Sequence, residues 1–217
     1  MTDDEFCQAH PTLYHASADG TWPSICALGL LPVSLLLDRA EMREGERRAI
    51  ERDRRSRVVP LTVNGFTIEI RDQKPLSLSR LKSALKDATV EEWLLMLNER
   101  VFFWPSEDRL KHFLQAASYA KSAHLVIEVD TKALLDHYDE RVFISSMNTG
   151  TTSPYAAPRG RSTFQLVTEY PRRRRSTVAE VSIVGGVPDV RAVAKRVYRF
   201  FERAEVETVW EQASPVN

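Results

Sequence analysis

The segment Thr12–Leu31, TLYHASADGTWPSICALGLL, constrains the fold of this chain more than any other. A short apolar strand is expected over Leu13–Ala16, then a polar turn, then a helix from Trp22 to Leu28 that Gly29 is suited to end in a left-handed conformation. The Gly-Leu-Leu ending returns the chain to the core. Alternation along the strand puts His15 and Ser17 on one side and Tyr14 on the other, so His15 is free to face a cleft while Tyr14 packs.

Further along, a short helical turn is predicted at Pro32–Leu37. The stretch Asp38–Arg57, DRAEMREGERRAIERDRRSR, is almost wholly charged. Its Glu44/Arg48 and Glu51/Arg55 spacings suit an exposed helix, and its composition suits a solvated connector. Val58–Ile70 carries Asn64-Gly65 between β-branched runs, a two-residue hairpin signal that delivers Arg71 to the end of the second strand. Helices are predicted over Ser77–Lys86 and Val90–Leu97, the second with a Thr89/Glu92 capping box. An aromatic strand follows at Val101–Trp104, and a helix capped by Ser106 runs to about Tyr119. His124–Asp130 reads as a buried strand, Lys132–Asp136 as a short helix, and Arg141–Ser145, Phe164–Thr168 and Val178–Val184 as strands. Val190, Val193, Val197 and Phe200 or Phe201 recur at helical spacing, which predicts a helix over Val190–Phe201. Strands and helices mix without regular βαβ alternation, so the fold class is α+β.

At 217 residues the chain is expected to form a single domain, residues 1–217. No apolar run is long enough to cross a bilayer. MTDDEFCQAH lacks the basic start and apolar core of a secretory signal, so a cytoplasmic protein without membrane attachment is expected. Cys7 and Cys26 supply neither a disulfide framework nor a zinc site, and His10, His15, His112, His124 and His137 show no ligand spacing, so no metal is expected. GxxxxGK[ST], GxGxxG, GxSxG and HExxH are all missing, which removes phosphate-loop, Rossmann, α/β-hydrolase and zincin readings. Thirty basic and thirty acidic residues cancel, giving no overall attraction to nucleic acid. Charge is nevertheless uneven: Arg159, Arg161 and the run Arg172–Arg175 sit in a Gly/Pro/Ser-rich stretch, residues 146–176, that reads as a long basic loop.

Three segments set polar or aromatic residues in apolar surroundings. The first is Tyr14-His15-Ala16-Ser17. In Arg100–Ala120, Phe102 and Trp104 share one strand face and the following helix brings Tyr119 back over the sheet; such a wall serves as core or stacks a flat heterocycle. In VAEVSIVGGVPDV, Glu180 interrupts a β-branched strand, and a carboxylate there is costly to bury unless paired or used.

In this order the three segments resemble the ADP-ribosyltransferase superfamily, which transfers ADP-ribose from NAD and releases nicotinamide. Within it, YHAS…WPSICALGLL and AEVSIVGGVPDV are similar to the opening strand and the glutamate strand of DarT-like enzymes that modify DNA bases. The resemblance implies an ADP-ribosyltransferase-like fold, a split mixed or antiparallel sheet core with peripheral helices. It implies Glu180 and Arg71 as catalytic residues, with His15, Ser17, Phe102, Trp104 and Tyr119 binding NAD as substrate and no metal required. Arg159, Arg161, Arg172 and Arg173 would then meet a nucleic acid acceptor, single-stranded DNA being favoured, and an antitoxin or immunity partner is implied. The charged segment 38–57 and the helices of 77–97 depart from the pattern. The alternatives are a transferase acting on protein, or an inactive NAD-binding or nucleic-acid-binding module of the same fold.

Overall fold

The computed structural model describes residues 1–117 and 119–213; of Arg175 and Ser176 only the backbone is described. In chain order the elements are α1 (Asp3–Ala9), β1 (Thr12–Ala18), α2 (Trp22–Leu28), α3 (Val33–Arg39), α4 (Glu44–Glu51), β2 (Val59–Val63) and β3 (Phe66–Ile70). Then come α5 (Leu78–Ala84), α6 (Val90–Asn98), β4 (Arg100–Phe103), α7 (Glu107–Leu114), β5 (His124–Asp130) and α8 (Thr131–Tyr138). The rest are β6 (Val142–Ser145), β7 (Gln165–Leu166), β8 (Glu180–Val184), β9 (Ala194–Phe201) and β10 (Ala204–Glu211).

The strands form two four-stranded sheets, β1-β5-β9-β10 and β4-β8-β6-β7, and the separate hairpin β2-β3. Every ladder is antiparallel, so the mixed sheet allowed by the sequence reduces to an antiparallel one; the parallel pairing is an isolated bridge between Leu85 and Arg159. The two large sheets meet edge to edge where Tyr14 and Trp104 exchange backbone hydrogen bonds of 3.0 and 2.8 Å. Leu13, Ile127 and Val197 of the first sheet share one apolar cluster with Val101, Val181 and Ile183 of the second. Helix α7 covers the opposite face of the first sheet, where Leu110 and Leu114 pack on Val126, Tyr198 and Phe200.

Local chemistry explains the elements around the site. Helix α2 ends at Gly29, φ +89°, where a Cβ would lie 2.8 Å from the Pro188 backbone. Leu30 then pairs with Val187 beyond β8, through bonds of 2.9 and 2.8 Å, so the Gly-Leu-Leu ending does rejoin the core. In the β2-β3 hairpin, Asn64 (φ +49°) and Gly65 (φ +81°) supply two positive φ angles for a two-residue turn whose twist matches its strands. The Thr89 side chain accepts from Glu92 N and the Glu92 carboxylate from Thr89 N, which fixes the start of α6.

The structure corrects several expectations. Residues 194–201 form a strand, not a helix. Val197 faces the main core while Tyr198 and Phe200 face the α7 side, and Lys195 is skipped by a bulge opposite Glu128 and Val129. Burial on both faces plus one inserted residue imitates helical spacing. β10 carries no alternating pattern because, except for the half-buried Trp210, it is an exposed edge. The helix expected to reach Tyr119 stops at Leu114, and the strand expected over 164–168 shrinks to Gln165–Leu166. Segment 38–57 is not merely a solvated connector. Ile50, Glu51 and Arg55 are buried, and Arg47 pairs with Glu51 at 2.9 Å and with Asp38. Arg48 reaches Glu91 at 2.7 Å, in place of the expected Glu44/Arg48 pair.

Candidate functional site

A cavity of about 920 Å³ opens where the two sheets meet. It is lined by His15 and Ser17 of β1, Arg71 after the hairpin, Phe102 and Trp104, Phe113 and Tyr119, Thr149, and Glu180 at the start of β8. The structure therefore brings together all seven residues singled out for catalysis and NAD binding: Glu180, Arg71, His15, Ser17, Phe102, Trp104 and Tyr119.

His15 Nδ1 lies 2.8 Å from the Phe102 carbonyl, to which it donates. Burial, aided by the nearby Arg71 charge, pulls its pKa down to about 4, so the ring is neutral near pH 7. With Nδ1–H committed, Nε2 is left as an acceptor for a hydroxyl.

Glu180 is 5% exposed. The Thr149 backbone N–H and hydroxyl both donate to its Oε2, at 2.9 and 2.7 Å, while Oε1 takes no hydrogen bond from the described residues. Burial pushes the carboxyl up to about 7, against the pull of the Thr149 donors and the Arg159 and Arg109 charges. Such a group is poised between acid and carboxylate at neutral pH.

Arg71 directs Nη2 to His124 Nδ1 at 3.3 Å and lies over the Tyr119 and Phe113 rings, 5.5 and 5.8 Å from their centroids. His124 Nε2 donates to the Tyr119 carbonyl at 2.9 Å, so the neutral ring accepts from Arg71 on its other side. Phe113 joins the aromatic wall together, 5.1 Å from Trp104 and 4.5 Å from Tyr119 between ring centroids.

The four loop arginines do not line the cavity. Arg159, expected to meet an acceptor, is 4% exposed and points inward. It donates to the carbonyls of Thr149, Thr151 and Ala157 at 3.2, 2.9 and 3.1 Å, tying down the loop that presents Thr149 to Glu180. Arg161 pairs with Glu92 of α6 and Arg172 with Glu5 of α1, at 2.7 and 2.8 Å, and Arg173 is exposed on a 3-10 turn. The stretch is thus not one continuous basic loop: Thr149, Thr152, Arg159 and Gly160 are packed, and a Cβ on Gly160 would collide with Asp87.

Sequence reading missed Thr149, His124, Arg55 and Arg109. Thr149 sits in a turn-forming run, NTGTTSP, whose composition says nothing about a glutamate 31 positions away. Arg55 was hidden within a run of surface-like charges. Among the described residues no group of three or more His, Cys, Asp or Glu is arranged to hold a metal, and no helix is long and apolar enough to cross a membrane.

No curated protein matches the chain. Among solved structures it is similar to Thermosipho africanus DarTG in complex with ADP-ribose, at 14% identity and a TM-score of 0.47, over 86% of this chain. That likeness takes in 43% of the DarTG chain, so the present chain spans less than half of its length. A family match covers residues 11–194, from the start of β1 to the first residue of β9 and so across every residue of the cavity named above; the chain belongs to the family of unknown function DUF7002.

Proposed function

We propose that the chain is a single ADP-ribosyltransferase-like domain that binds NAD in the cavity between its sheets and transfers ADP-ribose to an acceptor, releasing nicotinamide. The observation that carries this reading is the convergence of a buried glutamate, a neutral histidine, an arginine and an aromatic wall on one cavity. Its volume of about 920 Å³ lies toward the upper end of the roughly 300–1,000 Å³ of ligand pockets.

In the proposed reaction the glycosidic bond between ribose C1′ and the nicotinamide nitrogen breaks, and its electron pair neutralises the pyridinium. Positive charge develops on the ribose, and the Glu180 carboxylate stabilises it through Oε1, the oxygen that Thr149 leaves free. With a pKa of about 7, Glu180 is also matched to take the proton of the incoming nucleophile. His15 Nε2 accepts from a ribose hydroxyl, Arg71 meets phosphate, and Phe102 or Trp104 stacks a ring.

The acceptor we propose is nucleic acid, with single-stranded DNA first and an antitoxin or immunity partner in attendance. Its recognition belongs to Arg109 and His112 of α7, which line the cavity, rather than to the arginine run. Labelled NAD incubated with single-stranded DNA, duplex DNA, RNA and cell protein tests both parts of the reading. Transfer to a nucleic acid pool that is lost in Glu180→Gln supports it. Transfer to protein alone corrects the acceptor, and no nicotinamide release with any pool rejects the transferase.

A further inference from the structure

Arg55 lies between α4 and the hairpin, 9% exposed, and lines the same cavity as Arg71. Its Nη1 donates to the Ile50 carbonyl at 2.6 Å and to Asn98 Oδ1 at 3.0 Å, and its Nε to the Arg71 carbonyl at 3.0 Å. All three acceptors are neutral, and Nη2 makes no hydrogen bond to the described residues. Neither Arg55 nor Arg71 forms an ion pair among the described residues. The nearest carboxylate in sequence, Asp72, is held by Lys74 at 2.7 Å.

Burial lowers the Arg55 pKa to about 10, which still leaves it charged at pH 7. Asp72 also lines the cavity and favours the charged form of both guanidiniums, but it is itself paired with Lys74. The burial of Arg55 and Arg71 is therefore only partly offset in the free protein, and an anion taken up by the cavity relieves the remaining cost. Guanidinium forks match the several acceptor oxygens of a phosphate. A purely structural Arg55, fastening α4 to the end of β3, would use Nε and Nη1 and leave Nη2 without a role.

We propose that Arg55 is a ligand-binding residue whose guanidinium, with that of Arg71, forms a phosphate subsite in the cavity. The proposal rests on the transferase reading only for whose phosphate it is, that of the dinucleotide or that of the acceptor.

Gln73 provides the test. Its Oε1 accepts from the Arg55 backbone N–H at 3.0 Å and Gln73 lines the cavity, so Gln73→Glu keeps an acceptor for that bond and adds a negative charge to the cavity that Arg55 and Arg71 line. Inorganic pyrophosphate, with acetate as control, is titrated calorimetrically into the wild type, Gln73→Glu and Arg55→Lys, with circular dichroism checking the fold. Pyrophosphate is expected to bind more tightly than acetate, and about tenfold or more weaker to Gln73→Glu. If Arg55→Lys does not fold, Gln73→Glu decides. Wild type that does not bind pyrophosphate, or a folded Gln73→Glu that binds it equally well, overturns the subsite. Weakened NAD binding in the variant assigns the phosphate to the dinucleotide, and a raised KM for acceptor alone assigns it to the acceptor. Pyrophosphate binding without nicotinamide release would reject the transferase and keep the subsite, whereas turnover with unaltered pyrophosphate and substrate affinities in Gln73→Glu would do the reverse.

Discussion

Burial on folding favours the neutral form of both Glu180 and His15, and pH exposes this. The Glu180 carboxyl titrates near 7 in the folded chain against 4.5 ordinarily, so between those values the native state holds more protons and stability falls as pH rises. His15 titrates near 4 against 6.5 ordinarily, so the native state holds fewer protons and stability is lost as pH falls through that window. The two slopes oppose each other between about 4.5 and 6.5. Glu180→Gln keeps an acceptor for both Thr149 donors, so denaturant titrations at pH 5 and pH 8 should show it gaining stability over wild type toward high pH, by up to about 3 kcal/mol. The same variant should lose about 10²-fold or more in nicotinamide release. Wild-type turnover should rise with pH through about 7 as Glu180 ionises, a limb that vanishes if another group sets the profile. Thr149→Val removes one donor to Oε2 and should move that limb upward, because the Thr149 hydroxyl favours the ionised form.

At the level of elements, the loop from Ser146 to Arg159 is held from within by a buried guanidinium. Arg159→Met should leave the Thr149, Thr151 and Ala157 carbonyls without their donor, costing about 1–3 kcal/mol and raising proteolytic nicking between residues 147 and 157. Cleavage no faster than in wild type would show that the loop stands without it. In the hairpin, Gly65→Ala at φ +81° should cost about 1 kcal/mol, measured by thermal unfolding. Elements whose signal is local were legible in the sequence: the Asn64-Gly65 turn, the Thr89/Glu92 box, and the α2 helix with its Gly29 stop. Those governed by distant partners were not. β9 reads as a helix until its two buried faces and its bulge are known, and Arg159 reads as surface until the carbonyls that surround it are placed. The cavity residues were legible where a polar group broke an apolar strand, as His15 and Glu180 do. Thr149 and Arg55, each polar among polar neighbours, gave no such contrast.

For the whole molecule, a ligand that spans the cavity touches both sheets, so it should stabilise the fold as a unit. NAD at about a hundredfold over its Kd should add roughly 2.7 kcal/mol to unfolding, and a thermal shift unchanged by NAD would argue against the cavity as its site.

Among the described residues the backbones of the two sheets are stitched by one residue pair, Tyr14 with Trp104, and His15 leans across that seam onto Phe102. One stitch leaves the halves free to breathe against each other more readily than strands inside either sheet can separate. The Tyr14 and Trp104 amides, which close the seam, therefore act as a built-in gauge of how wide the cleft opens, and their hydrogen exchange should slow when a ligand bridges the two halves.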